Sequence, residues 1–174
     1  GDALIAQSPL LEVHLFDIPE QHDAETGLAA LALYGQAQDM AWPGLTLAGT
    51  NMEVQLELSG LPDDVRNWND PMLLPAMQQA GAMLKVVSIQ AADAEARLDA
   101  AGQLRLDAQG APEGQLTVTS TGVAERVGPL IEEPWRTLVL GTPAADGSHT
   151  NRLTFTSGAV FSGLAPVAPL PSLF

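Results

Sequence analysis

Gly102-Gln-Leu-Arg-Leu-Asp-Ala-Gln-Gly-Ala-Pro-Glu-Gly-Gln-Leu-Thr-Val-Thr119 decides the fold class. Leu104 and Leu106 alternate with Arg105 and Asp107, and beyond a Gly/Pro/Glu turn Leu116 and Val118 alternate with Gln115, Thr117 and Thr119. A period of two places alternate side chains on opposite faces of a strand. The stretch therefore predicts a hairpin with one apolar and one solvated face, as antiparallel sheets commonly have.

Working outward, the same alternation recurs. Leu11, Val13 and Leu15 oppose Glu12 and His14, and Met52, Val54, Leu56 and Leu58 oppose Glu53, Gln55 and Glu57. Gly27 to Tyr34 favours a strand over an Ala-rich helix. Leu84 to Ile89 and Ala94 to Asp99 read as strands, with Asp99-Ala-Ala-Gly102 as a tight turn of a meander. Trp42-Pro43-Gly44 is turn chemistry. Asn69-Asp70-Pro71 predicts the start of a helix running to Ala80 and stopping at Gly81, and Gly122 to Ile131 a second. Trp135 to Leu140 and Asn151 to Thr156 read as a hairpin around a polar tip, with a last short strand at Phe161. The tail from Gly163 to Phe174, rich in proline, is expected to lie extended along the body. The sum is a β-rich α+β fold: a curved antiparallel meander of about seven to nine strands with two short covering helices.

With 174 residues the length suits a single domain. Lys and Arg number 7 against 21 acids, a formal net charge of -14. Such a surface repels phosphate backbones, so nucleic acid is not an expected partner. The chain has no Cys, which removes disulfides and thiolate chemistry and suits either a periplasmic or a cytoplasmic protein. No run approaches the ~20 apolar residues of a membrane span.

Three polar clusters invite a chemical reading. Glu12, His14, Asp17, Glu20, His22, Asp23 and Glu25 form a dense acidic stretch, yet no pair has defining metal-ligand spacing, and a solvated loop is favoured. Asp63, Asp64 and Asp70 flank Trp68; a capping loop anchored by Trp68 is favoured over a calcium or sugar site. Asp146, Ser148 and His149 lie together without a nucleophile elbow, and members of a triad meet in space rather than in sequence. No catalytic residue, metal or cofactor is expected. The candidate site is instead the apolar face: Met52, Val54, Leu104, Leu106, Leu116, Val118, Leu153 and Phe155. Either it is sealed as a core or it lines a groove for an acyl chain.

The run Ala94-Glu-Ala-Arg-Leu-Asp-Ala-Ala-Gly-Gln-Leu-Arg-Leu-Asp-Ala-Gln-Gly-Ala-Pro-Glu-Gly-Gln-Leu-Thr-Val118 resembles an alphaproteobacterial family, domain of unknown function 2125, and more distantly the AsmA-like envelope proteins. The Trp42 segment leading into the Met52 to Leu58 strand and Leu61-Pro62, the Pro71 helix, and the ending Arg152-Leu-Thr-Phe-Thr-Ser-Gly-Ala-Val-Phe-Ser-Gly-Leu-Ala-Pro166 are similar to the same family. The resemblance spans residues 28 to 174. It implies a non-enzymatic periplasmic protein, secreted or anchored to the inner membrane through an upstream segment, with this chain as the C-terminal part. It also implies a curved, groove-like sheet, and the leading expectation is that its apolar face binds or passes lipid or another hydrophobic ligand. The alternative is a structural or protein-interaction module that uses sheet edges or the Pro-rich tail for a partner or for self-association.

Overall fold

The computed structural model describes residues 7–42, 47–132 and 135–174. Nine strands form one antiparallel sheet in which spatial order follows chain order, so every neighbour in sequence is a neighbour in space. The strands are β1 (Leu10–Asp17), β2 (Leu28–Trp42), β3 (Leu47–Pro62), β4 (Met83–Ala92), β5 (Arg97–Leu106), β6 (Pro112–Thr121), β7 (His149–Thr156), β8 (Ala159–Ser162) and β9 (Ala165–Pro169). The sheet does not close: among the described residues β1 and β9 each pair with one neighbour. Alternating side chains make the strands, and apart from the helix-bearing links β3–β4 and β6–β7 the connections are short enough for a meander. Bulges interrupt the registers of β2 with β3, β3 with β4, β4 with β5 and β8 with β9. Each bulge bends its strand locally.

The opening hairpin is β5 and β6, with Leu104 opposite Gly114 and Gly102 opposite Leu116. One expectation fails here. Asp99-Ala-Ala-Gly102 is not a turn but the middle of a ten-residue strand. The chain reverses earlier, where Asp93 accepts from Glu95 N at 2.8 Å and Ala96 N at 2.9 Å. Gly102 tolerates the strand interior because it adopts φ +154; a Cβ there would collide with Gln115 O across the hairpin.

Two helices fall where expected, α1 (Leu73–Gln79) and α2 (Val123–Val127), the latter continued by a 3-10 turn at Gly128–Leu130. Asp70 Oδ1 accepts from Met72 N at 2.8 Å just before α1, and Gly81 follows its end with φ +72. Trp135 to Leu140 is not a strand but a third helix, α3 (Trp135–Leu140). Its Arg136 donates back to Gly128 O at 2.7 Å and Ile131 O at 3.2 Å, tying the helix to the preceding turn. The partners of β7 are accordingly β6 and β8.

The tail does lie along the body. β9 carries Pro166 and Pro169 on the outer edge of the sheet, where the missing N–H groups cost no ladder bond. Beyond it Leu170 N donates to Gly158 O at 2.7 Å and Leu173 N to Gly110 O at 3.0 Å. Gly110, at φ +75, leaves the space that the Phe174 ring occupies, since a Cβ would sit 2.9 Å from it.

The core is small. Met77 of α1, Leu61 of β3 and Ala82 form a buried cluster, with Leu31, Leu58, Trp68, Leu73 and Leu74 packed round it. Among the described residues the largest fully buried side chain is that of Ser162.

Candidate functional site

Residues opposite one another in a ladder share a face, so the registers assemble the apolar surface row by row. One row runs Leu15, Leu33, Leu56, Val86, Gly102, Leu116, Leu153 across β1 to β7. A second runs Val13, Gly35, Val54, Ile89, Ala100, Val118. A third brings Leu31, Leu58, Leu84, Leu104, Gly114, Phe155 and Val160 together. Met52 joins Ala37 and Ala91 in a fourth, and Leu106 opposes Pro112 at the end of β5. All eight predicted lining residues therefore occupy one face of one sheet. A shallow depression bordered by Met83, Gln103, Arg105, Glu113, Thr154 and Thr156 lies instead on the opposite face, since these residues alternate with the apolar rows.

The opposite face is polar and cross-linked by exposed pairs. Lys85 Nζ donates to Glu57 at 2.9 Å, Arg105 Nε to Glu113 at 2.9 Å, and Gln36 Nε2 to Glu12 at 2.7 Å. Exposed pairs of this kind contribute ~0–1 kcal/mol each, so they fix the wet face more than they stabilise it.

Whether the apolar face is sealed depends on the helices, which reach only its ends. α1 covers Leu31 and Leu58. At the far side α3 packs on β7, β8 and β9, with Ser162 Oγ donating to Val139 O at 2.8 Å. Among the described residues the main neighbours of β1, β4 and β5 are other strands. Most residues of the rows are half-buried, and Val86 and Ala100 in the middle of the sheet are buried. On β1 the side chains are more open: Leu11, Val13 and Leu15 are 71%, 58% and 62% exposed. The chain as a whole exposes 10970 Å², whereas a compact monomer of 18.2 kDa exposes about 8,100 Å².

The polar clusters are occupied with structural tasks. Asp23 Oδ1 accepts from Glu25 N at 2.9 Å in the turn between β1 and β2, while Glu12 and His14 stand on the wet face of β1. Among the described residues no group of three His, Asp or Glu side chains is placed to hold a metal ion. Trp68 Nε1 donates to Pro62 O at 2.9 Å, and Asp64 clamps Arg66 at 2.6 Å. Ser148 Oγ donates to Asp146 at 2.7 Å, whereas His149 Nδ1 lies 3.0 Å from Leu140 O, so hydroxyl and imidazole serve separate partners.

One feature escaped the sequence reading. Asp93, its side chain 8% exposed, receives Arg126 Nη2 at 3.0 Å and Nη1 at 2.5 Å, joining the β4–β5 turn to α2. The Arg126 guanidinium, with the N–H groups of Glu95 and Ala96, holds the Asp93 carboxyl down at about 2. Thirty-odd residues of separation concealed the pair.

Fold and face define a class: an open antiparallel meander whose candidate site is a broad apolar surface. The chain belongs to an uncharacterized protein family conserved in bacteria, DUF2125, whose profile matches residues 6–171. The match includes β1 and so begins earlier than the resemblance seen from residue 28. Comparison with curated proteins and with solved structures gives no match.

Proposed function

We propose that the protein is a non-enzymatic component of the bacterial cell envelope that binds or passes lipid, or another hydrophobic molecule, along its apolar sheet face. The observation that carries this reading is the continuous apolar surface of β1 to β7, covered by helices only at its ends. A periplasmic location, with an anchor to the inner membrane upstream of these residues, accords with a ligand drawn from a bilayer, as does a distant kinship with AsmA-like proteins. The bulges curve the sheet into a trough. Met52, Val54, Leu104, Leu106, Leu116, Val118, Leu153 and Phe155 are its lining.

Magnitudes favour passing over storing. Complete burial stabilises an acyl chain by ~0.8 kcal/mol per CH2, so a half-covered chain of about 15 methylenes gains roughly 6 kcal/mol, a Kd of about 40 μM before association costs. Such a ligand exchanges readily.

The test is native mass spectrometry of protein purified from its own host, joined to displacement of a fluorescent fatty acid. A lipid adduct and saturable displacement are expected. Absence of both would overturn the reading.

A further inference from the structure

The two edges of the sheet differ. β9 is blunted by Pro166 and Pro169, a common protection against strand addition. β1, Leu-Leu-Glu-Val-His-Leu-Phe-Asp, has no Pro, Gly, Lys or Arg, and its Leu11, Val13, Leu15 and Phe16 are all more than half exposed. Among the described residues it pairs only with β2. We propose that β1 is a self-association edge, on which β1 of a second copy of this chain adds antiparallel about a two-fold axis through Val13.

Backbone geometry sets the register. Ile18 N donates to Ala30 O at 3.0 Å, continuing the β1–β2 alignment in which Asp17 opposes Leu31. Bonded pairs recur at every second residue of an antiparallel ladder. Leu10, Glu12, His14 and Phe16 therefore bond to β2, and Leu11, Val13 and Leu15 turn N–H and C=O to the open edge. A two-fold axis at Val13 sets Val13 against itself and Leu11 against Leu15 of the second copy, each a bonded pair, for about six new backbone bonds.

Side chains select the same register. With the axis at Val13, Glu12 meets His14 of the second copy and Leu10 meets Phe16. Moving the axis by one residue sets Glu12 against Glu12 or His14 against His14, and like groups directly opposite are unfavourable. The axis is normal to the sheet, so both apolar faces stay on one side and the candidate surface continues from one copy into the other. The charge of -14 on each copy opposes the approach. Added salt screens it, the Debye length falling to about 8 Å at 0.15 M, and so strengthens the pair. This pairing does not depend on lipid carriage, and its tests contain no lipid.

Sedimentation velocity at rising concentration is expected to show mass growing from 18.2 kDa towards twice that value. The growth is larger at higher salt. Val13→Pro removes only an outward N–H, so it is expected to stay monomeric with an unchanged circular dichroism spectrum. Because the chain has no Cys, Val13→Cys provides a register test. Its two copies lie opposite one another, about 5.5 Å apart at Cα, within disulfide range. Mild oxidation is expected to cross-link it. Leu11→Cys alone is not expected to link, since its copies are offset by about 13 Å along the strands, but mixed with Leu15→Cys it is. A monomer at every concentration would overturn the proposal, and so would equal cross-linking at positions 11, 13 and 15.

Discussion

Asp93 and Arg126 show how much a single contact does in a protein with so thin a core. The carboxylate caps the β4–β5 turn through Glu95 N and Ala96 N and receives α2 through Arg126. Its folded pKa lies at about 2, below the usual 3.8. A depressed carboxyl contributes stability that is complete above its unfolded value and is lost as pH falls through the folded one. The pair's contribution is thus full at neutral pH and disappears between about pH 4 and about pH 2. Asp23, Asp64, Asp99 and Asp146 are also lowered by their hydrogen bonds, so the wild-type acid limb alone is ambiguous. Asp93→Asn keeps an acceptor for the two backbone N–H groups but loses the charge that faces Arg126. Thermal unfolding of both proteins from pH 7 to pH 2 is expected to show a lower Tm for Asp93→Asn at pH 7 and a difference that closes near pH 2. A difference independent of pH would assign the contact to the turn alone.

Among the elements, strands were legible wherever one face is wet, because Leu104/Arg105 or Met52/Glu53 alternation has only one structural solution. Legibility failed at two places for separate reasons. At Asp99 to Gly102 a run of small residues looks like a turn, yet Gly102 uses a backbone conformation open to glycine to keep β5 intact. At Trp135 to Leu140 six residues are too few to separate a period of two from one of 3.6, and the deciding bonds, Arg136 to Gly128 and Ile131, come from outside the segment. The eight lining residues were legible as a face, but not as an open one, since alternation is blind to what lies above the sheet. Openness is testable by paired substitutions. Met77, on the inner side of α1, is 7% exposed, and Met77→Ala is expected to cost about 2–5 kcal/mol in urea unfolding. Leu116 is half-buried on the uncovered part of the face, and Leu116→Ala should cost about 1 kcal/mol while weakening fatty-acid displacement. Equal costs at the two positions would mean that a layer covers Leu116.

At the scale of the molecule, the apolar face and the charge of -14 belong to one particle and together select its ligands. The face attracts any alkyl chain, and the surrounding carboxylates discriminate among headgroups. Paired residues on the wet face neutralise part of the charge, as Lys85 does for Glu57 and Arg105 for Glu113, but the acids outnumber the bases by 21 to 7. An anionic headgroup at the rim of the face therefore meets a repulsive potential that a neutral or zwitterionic one does not. Exposed charges interact over a Debye length, about 30 Å at 0.01 M salt and about 3 Å at 1 M. For ligands of equal chain length, displacement assays are expected to rank a monoacylglycerol or lysophosphatidylcholine above the corresponding fatty acid at low salt. The gap should narrow as salt rises, while the neutral ligand holds or gains affinity because hydrophobic burial is not screened. A gap unchanged by salt would place the headgroup in direct contact with specific side chains, and a preference for the anionic ligand would point to a basic residue within reach of the headgroup.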